Sequence, residues 1–555
     1  MSVNKFRYSI SVAFVTAIII IADGCAPAAF KVELPETIPV IDEPAEEELP
    51  VVEEVIFVAP DLITQLYEKS DKLLSASWNS RENLYQMLSV LHNIYREGLN
   101  PEDYNLSSIE KLTDEIILSE EAEAGDITRL ETLLTDAFLL LSRHLALGKT
   151  DAVTIDPQWK ASRRALTIDL ESFADSTLLN NRIIENLQKL TPAHREYSNL
   201  KKALAEYRLI EEKGGWAGFS TIMPKLEIGM CEPDIALLRN RLAITQVYIE
   251  NDTVDKNLFD QSLYMQVMLF QLRNGLTADG VVGKATVEAM NISVEERIAT
   301  IEANLERWRW LSNDLGERYI KVNIANFDLQ VIEKDITVFS TEAIVVLTNR
   351  KTPVFSSVMK YLVLNPDWTV PPTILNDDVI PSVIENPGYL AKKNLKILRI
   401  DGTEVDPLSI DWINIVATGF PYRVHQAPGP GNALGLVKFI FPNIYSVYIH
   451  DTPNRNLFGR TDRLFSSGCI RVNHPMDLVA WLMKDNPDWT PAQIKNVVDQ
   501  GKEQIVNLVT PIQVHILYLT AWAGDDGLVY FRRDIYDRDQ PLLVALRKGP
   551  HGPDQ

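Results

Sequence analysis

The sequence predicts a multidomain α+β chain, helical in its first half and mostly β in its second. Three observations predict it. At 555 residues the chain is too long for a single hydrophobic core. From Asp61 to about Glu212 apolar residues recur at helical spacing, as in Leu84, Met87, Leu88, Leu91 and Ile94 and again in Leu133, Leu134, Ala137, Phe138 and Leu141. From Tyr319 onward, β-branched and aromatic runs alternate with Asn, Asp and Gly turns, which reads as a mostly antiparallel β domain. The expected boundaries are an export signal at 1–25, a tether at 26–58, an α-helical scaffold at 59–228, a small three-helix module at 229–293 and a connecting helix at 294–316. A β domain follows at 317–500 with a helical capping insert at about 371–420, and a β extension closes the chain at 501–555.

The N-terminus carries Lys5 and Arg7, an apolar run from Ile10 to Ile21, then Ala22, Gly24 and Cys25, the layout of a short export signal. Phe30 to about Val58 is dense in Glu and Pro, which keeps such a segment extended and predicts a tether. In the scaffold, Gly98 ends a helix and Asn100 before Pro101 caps the next. Ile235, Leu238 and Leu242 mark the module's first helix, Leu263, Val267 and Phe270 its second, and Asn274 to Gly283 turns into a third from Lys284 to Met290. Arg307-Trp308-Arg309-Trp310 ends the connecting helix, with both Trp expected at a domain junction. Val514 to Trp522 and Leu528 to Arg532 read as a final hairpin completing the β domain.

Composition narrows the function. A formal net charge of -22 with no basic patch argues against nucleic acid and against anionic membrane surfaces as partners. No His-x-x-x-His or Cys-x-x-Cys spacing occurs, and His425, His474 and His515 are isolated, so no metal and no cofactor is expected. The Gly429-to-Gly435 stretch lacks the Lys and Ser of a phosphate loop. Cys25, Cys231 and Cys469 are the only cysteines, and Cys231 is expected to be buried and inert.

Chemistry concentrates in Tyr445-Ser-Val-Tyr-Ile-His450 and Ser466-Ser467-Gly468-Cys469-Ile-Arg471, joined by a polar loop. The first reads as a strand with Ser446, Tyr448 and His450 on one face; the loop folds the chain back to Cys469. A thiol ordinarily ionises near pH ~8.5 and needs a base, so Cys469 as nucleophile and His450 as proton donor and acceptor form the candidate pair. Gly468 permits a tight turn that aims the Gly468 and Cys469 amides at an oxyanion, Ser466 orients the imidazole, and Arg471 clamps a carboxylate. Tyr448, Ser467 and Asn432 are the further candidates for substrate contact, Asn432 through a peptide carbonyl. Read alone, a cysteine beside a glycine is more often a small buried apolar residue.

His450, the loop and Ser466-Ser467-Gly468-Cys469-Ile470-Arg471 resemble the signature of the L,D-transpeptidases, cysteine enzymes with a YkuD-type catalytic domain that cross-link bacterial peptidoglycan. The usual signature has His where this chain has Ser467; the large periplasmic YcbB-like members are similar to this chain in carrying Ser-Ser-Gly-Cys, which leaves His450 as the sole base. The scaffold, the capping insert and the Gly-Asn-x-Leu-Gly stretch at Asn432 are similar to theirs. Phe270-Gln271, Gly275-Leu276, Asp279-Gly280, Gly283 and Thr286 resemble the small three-helix peptidoglycan-binding module. The resemblance implies a thioester on Cys469, a tetrapeptide stem as donor, an amine of a second stem as acceptor, acylation by carbapenems and a place in the periplasm or cell envelope. Gly24-Cys25 resembles a lipoprotein acylation site, but Asp23 departs from it, so lipid attachment to a membrane at Cys25, a soluble form and an uncleaved anchor all stay open. Hydrolysis at the same site, as a carboxypeptidase or endopeptidase, and a non-catalytic wall-binding role stay open as well.

Overall fold

A computed structural model describes residues 78, 80–119, 123–166, 168–245, 255–415 and 419–549. The export signal, Cys25 and the acidic tether lie outside the described residues. The architecture is multidomain α+β: a helical N-terminal part, a three-helix module and a β domain whose sheet closes on itself.

The helical part packs α1 (Arg81–Asn93), α2 (Leu106–Leu118) and α3 (Ala124–Leu147) around Leu84, Met87, Leu88, Leu91, Phe138 and Leu141, all but excluded from solvent. Ser80 caps α1 by accepting the Asn83 amide. Gly98 stops the chain in a left-handed conformation at φ 71°, and Asn100 accepts the Glu102 amide one residue before Pro101. α4 (Arg195–Glu212) then runs to the module, formed by α5 (Pro233–Ala243), α6 (Gln261–Arg273) and α7 (Lys284–Met290). Its core is Ile235, Leu238, Leu242, Leu263, Val267 and Phe270. Cys231, expected to be buried, is exposed and donates weakly to Asp255.

α8 (Val294–Trp310) starts at a reciprocal Ser293 and Glu296 capping box and ends inside the molecule. Trp308 packs on His194 and Trp310 on Trp159, so both Trp side chains are buried. Arg307 and Arg309 are buried with them. Arg309 donates to Glu306, to the Glu97 carbonyl and to the Tyr197 hydroxyl, while Arg307 pairs with Asp539 at 2.6 Å. Such charges are tolerated because each is paired; deleting one partner of a buried pair ordinarily costs about 3–5 kcal/mol.

The main sheet runs β1 (Trp159–Lys160), β5 (Val354–Leu364), β10 (Val437–Ile440), β11 (Ile449–His450), β13 (Ile470–Val472), β4 (Ile336–Val346), β3 (Asp328–Glu333), β2 (Arg318–Asn323) and β14 (Gln504–Leu517), with β12 (Leu464–Ser466) beside β4. β14 closes the sheet, pairing parallel with β2 from Gln513↔Tyr319 and antiparallel with β5 from Gln504↔Leu364. β14 is largely exposed in its first half and buried at Val514, Ile516 and Leu517, where it lies between β2 and β5.

Between β5 and β10 the chain makes the insert. Pro372–Ile374, Leu375–Val379 and Ile380–Glu385 form one helical stretch whose middle is π-helical. It packs on a four-stranded sheet ordered β6 (Trp368–Thr369), β9 (Arg423–Gln426), β7 (Lys396–Leu398), β8 (Glu404–Val405). These short strands are too brief and too proline-flanked to be read from the sequence. Of the expected C-terminal hairpin, Val514 to Leu517 lies in β14 and closes the main sheet, whereas the hairpin that forms, β15 (Ala521–Ala523) with β16 (Val529–Phe531), does not join it. It is a separate two-stranded sheet; α9 (Pro475–Met483) precedes β14, and an unforeseen helix, α10 (Asp539–Arg547), follows the hairpin. β14 has already taken the open edge, leaving the hairpin nothing to pair with.

Candidate active site

Apolar residues set the orientation of the polar ones. Ile449 and Ile470 are fully buried partners across the parallel β11–β13 pair, so their neighbours must face the other way. His450 is level with Arg471, and the Ile470 amide donates to the Tyr448 carbonyl at 3.1 Å, which puts Cys469 beside Tyr448. Tyr448, His450, Cys469 and Arg471 thus share one face.

The strand at His450 is only two residues long. Ser446 stands at φ 54° and Asn443 ties the preceding turn by accepting the Tyr445 and Val447 amides, so Ser446 does not line up with Tyr448 and His450 as expected. Instead its carbonyl faces the thiol, at 3.9 Å from Cys469 Sγ.

Cys469 is half-buried. Burial pushes its thiol up, while the Tyr448 amide and phenol, both donating to the sulfur, and the charge of Arg471 pull it down. The Tyr448 hydroxyl in turn accepts from Trp368, a residue of the insert that nothing in the motif announces. His450 is buried, and burial together with Arg471 pushes its imidazole down to about 3, opposed by the Asp451 carbonyl. Nδ1 donates to that carbonyl, which leaves Nε2 as an acceptor. No hydrogen bond joins Cys469 to His450 here; the sulfur is turned toward Ser446. A neutral thiol beside a neutral imidazole is the resting state these environments produce, with the proton positioned to move when a carbonyl arrives.

Several expected roles move to other groups. Ser466 does not orient His450: its hydroxyl donates to the Cys469 carbonyl at 2.5 Å and accepts the Gly468 amide at 3.2 Å, because the turn into the nucleophile needs closing and Asp451 already holds the imidazole. The Gly468 amide is therefore occupied and is not an oxyanion donor, whereas the Cys469 amide has no acceptor among the described residues. Asn432 is 1 % exposed and consumed by its own loop, donating to the Gln426 and Ala427 carbonyls and accepting from the Leu434 amide, so it has nothing to offer a substrate. Ser467 donates to Asp378 of the insert at 3.3 Å, and Arg350 pairs with both Asp377 and Asp378, linking insert and nucleophile turn. Arg471 is mostly buried, and its Nε has no partner. A guanidinium so placed offers charge to an incoming carboxylate or oxyanion.

Asp451, next to the base, was the residue missed. Its carboxylate accepts the Leu436 and Thr452 amides and pairs with Arg455, which also reaches the Asn473 carbonyl. The His-Asp-Thr order was the available signal. His425, His474 and His515 are dispersed: His425 meets Asp367, His515 meets Ser356 and the Leu315 carbonyl, and His474 precedes α9 without a side-chain cap. Among the described residues no cluster of His, Cys, Asp and Glu is suited to a metal.

Comparison with known proteins places the face shared by Tyr448, His450, Cys469 and Arg471 inside a described class of catalytic domain. Residues 317–503 match the L,D-transpeptidase catalytic domain, 231–290 match a domain described as "Putative peptidoglycan binding domain", and 61–204 match a scaffold domain. The chain carries an L,D-transpeptidase catalytic domain beside a peptidoglycan-binding domain. A protein of Haemophilus influenzae described as "Putative L,D-transpeptidase" is 37% identical over 226 residues, 41% of this chain and 45% of that one. The chain thus spans less than half the length of that relative. A solved L,D-transpeptidase from Xylanimonas cellulosilytica aligns with 54% of this chain and 100% of its own at 13% identity, with a TM-score of 0.17, a likeness that bears no weight.

Proposed function

We propose that this chain is a peptidoglycan L,D-transpeptidase working through a Cys469 thioester at the cell envelope. The observation that carries the reading is the common face of Tyr448, His450, Cys469 and Arg471 across two parallel strands, inside the segment that matches the catalytic domain. In the proposed cycle the sulfur turns from Ser446 toward His450, loses its proton to Nε2 and attacks the carbonyl of the third residue of a tetrapeptide stem. The C–N bond breaks, the imidazolium returns the proton to the departing D-alanine amine, and a thioester remains. An amine of a second stem then attacks the thioester; His450 takes its proton and the thiolate leaves as the thiol. The Cys469 amide and Arg471 stand where negative charge develops.

Incubation with a carbapenem tests the nucleophile: intact mass should rise by one acyl adduct and Cys469→Ala should show none. Incubation with defined tetrapeptide stems then reads the acceptor. Cross-linked dimers are expected, and a chain that released only D-alanine would be a hydrolase.

A further inference from the structure

The turn that presents Cys469 is not held by packing. Gly468 stands directly before the nucleophile, and a Cβ built on it would meet nothing within 4 Å, so no side chain presses on the peptide that carries the Cys469 amide. What holds that peptide comes from the two serines in front of it. Ser466 works from inside the turn, accepting the Gly468 amide and donating to the Cys469 carbonyl. Ser467 works from outside, where its hydroxyl donates to Asp378 of the insert at 3.3 Å.

Asp378 is itself braced. It lies in the π-helical turn Leu375–Val379, which the Ile380 amide closes by donating to the Leu375 carbonyl, and its own carbonyl accepts from the Ser382 hydroxyl at 2.6 Å. Turns of this kind are rare and gather at functional sites. Here the two consecutive carboxylates on the wider turn, Asp377 and Asp378, both reach one guanidinium, that of Arg350, at 2.9 and 3.4 Å. Arg350 stands between β4 and β5, its amide donating to the Leu347 carbonyl at 3.0 Å, and the Leu347 amide donates in turn to the Ser466 carbonyl at 3.0 Å. The contacts close a ring: Ser466 to Leu347, Leu347 to Arg350, Arg350 to Asp378, Asp378 to Ser467. The nucleophile turn is one arc of it.

We infer that Asp378, acting through Ser467 and braced by Arg350, is a positioning residue for the nucleophile: it fixes the plane of the peptide between Gly468 and Cys469, so that the Cys469 amide faces the oxyanion of the acyl-transfer step. Resting on the transpeptidase reading, this gives a residue of the insert a part in that step, although it stands 89 residues before Ser467 in the chain. The action is geometric. The Asp378 charge is balanced by Arg350, so what reaches the turn is a hydrogen bond and not a field. Losing one well-aimed oxyanion donor costs about 10²–10³ in rate, and tilting it costs part of that.

The test compares the parent with Asp378→Ala, Ser467→Ala and the double variant, following carbapenem acylation by intact mass over a range of carbapenem concentrations. Both side chains are partly exposed, so neither change opens a core. Each single variant is expected to lose about tenfold in maximal acylation rate, with the half-saturating concentration close to the parent's, because the turn serves the transition state and not the bound ground state. The double variant should match the single ones, since the two residues act along one path, and Ser467→Thr, which keeps the hydroxyl, should stay near the parent. A parent-like maximal rate in Asp378→Ala, a loss confined to the half-saturating concentration, or a double variant that shows the product of the two single losses would each overturn the inference. Hydrogen–deuterium exchange over Leu464 to Val472 reads the same turn without any chemistry: it should quicken there in Asp378→Ala and not across β14, and an unchanged segment would overturn the inference as well. A parent that takes no adduct at Cys469 would sink the transpeptidase reading, while exchange still decides whether Asp378 braces the turn.

Discussion

His450 holds no proton on Nε2 at neutral pH because two pressures act together: it is buried, and Arg471 is level with it on the next strand. The imidazole titrates near 3, well below the ordinary 6.5, so the base stays competent far into acid. Cys469 is displaced the other way, upward by burial, so the pair does not rest as thiolate and imidazolium. The expected consequence is a carbapenem acylation rate nearly flat from about pH 5 to 8, with no inflection at the usual histidine value. His450→Ala should slow acylation about 100-fold or more at pH 7 and make it rise with pH as hydroxide replaces the base. A parent profile that falls off below pH 6.5 would show that the imidazole is not held neutral. None of this was legible in the motif, since burial and a cross-strand Arg are facts of packing.

At the scale of elements, the sequence was informative where one period dominated and silent where turns decided. The helical repeats of α1 and α3 and the module's three helices are readable because a whole face of each is apolar. The two-residue strand at His450 was overestimated, because alternation continues through Ser446 while the backbone there has already turned left-handed. Arg307 and Arg309 carry charge at a helix end, yet pairing with Asp539 and Glu306 lets them be buried. Gly435 shows how a turn positions the base: it sits at φ 61°, and a Cβ there would lie 2.3 Å from the Asp451 carboxylate, next to His450. Gly435→Ala should therefore cost about 2–4 kcal/mol, from left-handed strain and the displaced carboxylate together. Thermal denaturation reads the loss. The carbapenem acylation rate should fall with it, since Asp451 supplies the carbonyl that orients the imidazole; a variant as stable as the parent would mean the turn has room to relax.

Across the whole molecule, buried neutral histidines tie separate parts of the fold to pH. His144 on α3 meets the Tyr104 hydroxyl at 2.9 Å, His194 before α4 meets the Ser312 carbonyl, His515 on β14 meets Ser356 and the Leu315 carbonyl, and His450 completes the set. All four are lowered, first by burial; His144 is further opposed by Lys149, Arg309 and Arg143 and falls to about 3. A histidine lowered in the folded state leaves the unfolded chain binding more protons below the ordinary value of 6.5, so its contribution is complete above that pH and is lost as pH falls toward the folded value. Buried carboxyls raised by desolvation, Asp328 and Asp451 among them, act in the opposite sense. The clean measurement is therefore a difference. Urea denaturation of the parent and of His144→Gln, whose amide can still meet Tyr104, should show the parent losing stability faster by about 1.4 kcal/mol per pH unit between roughly pH 6 and 4. Parallel curves over that range would mean that the His144 site admits a proton without unfolding.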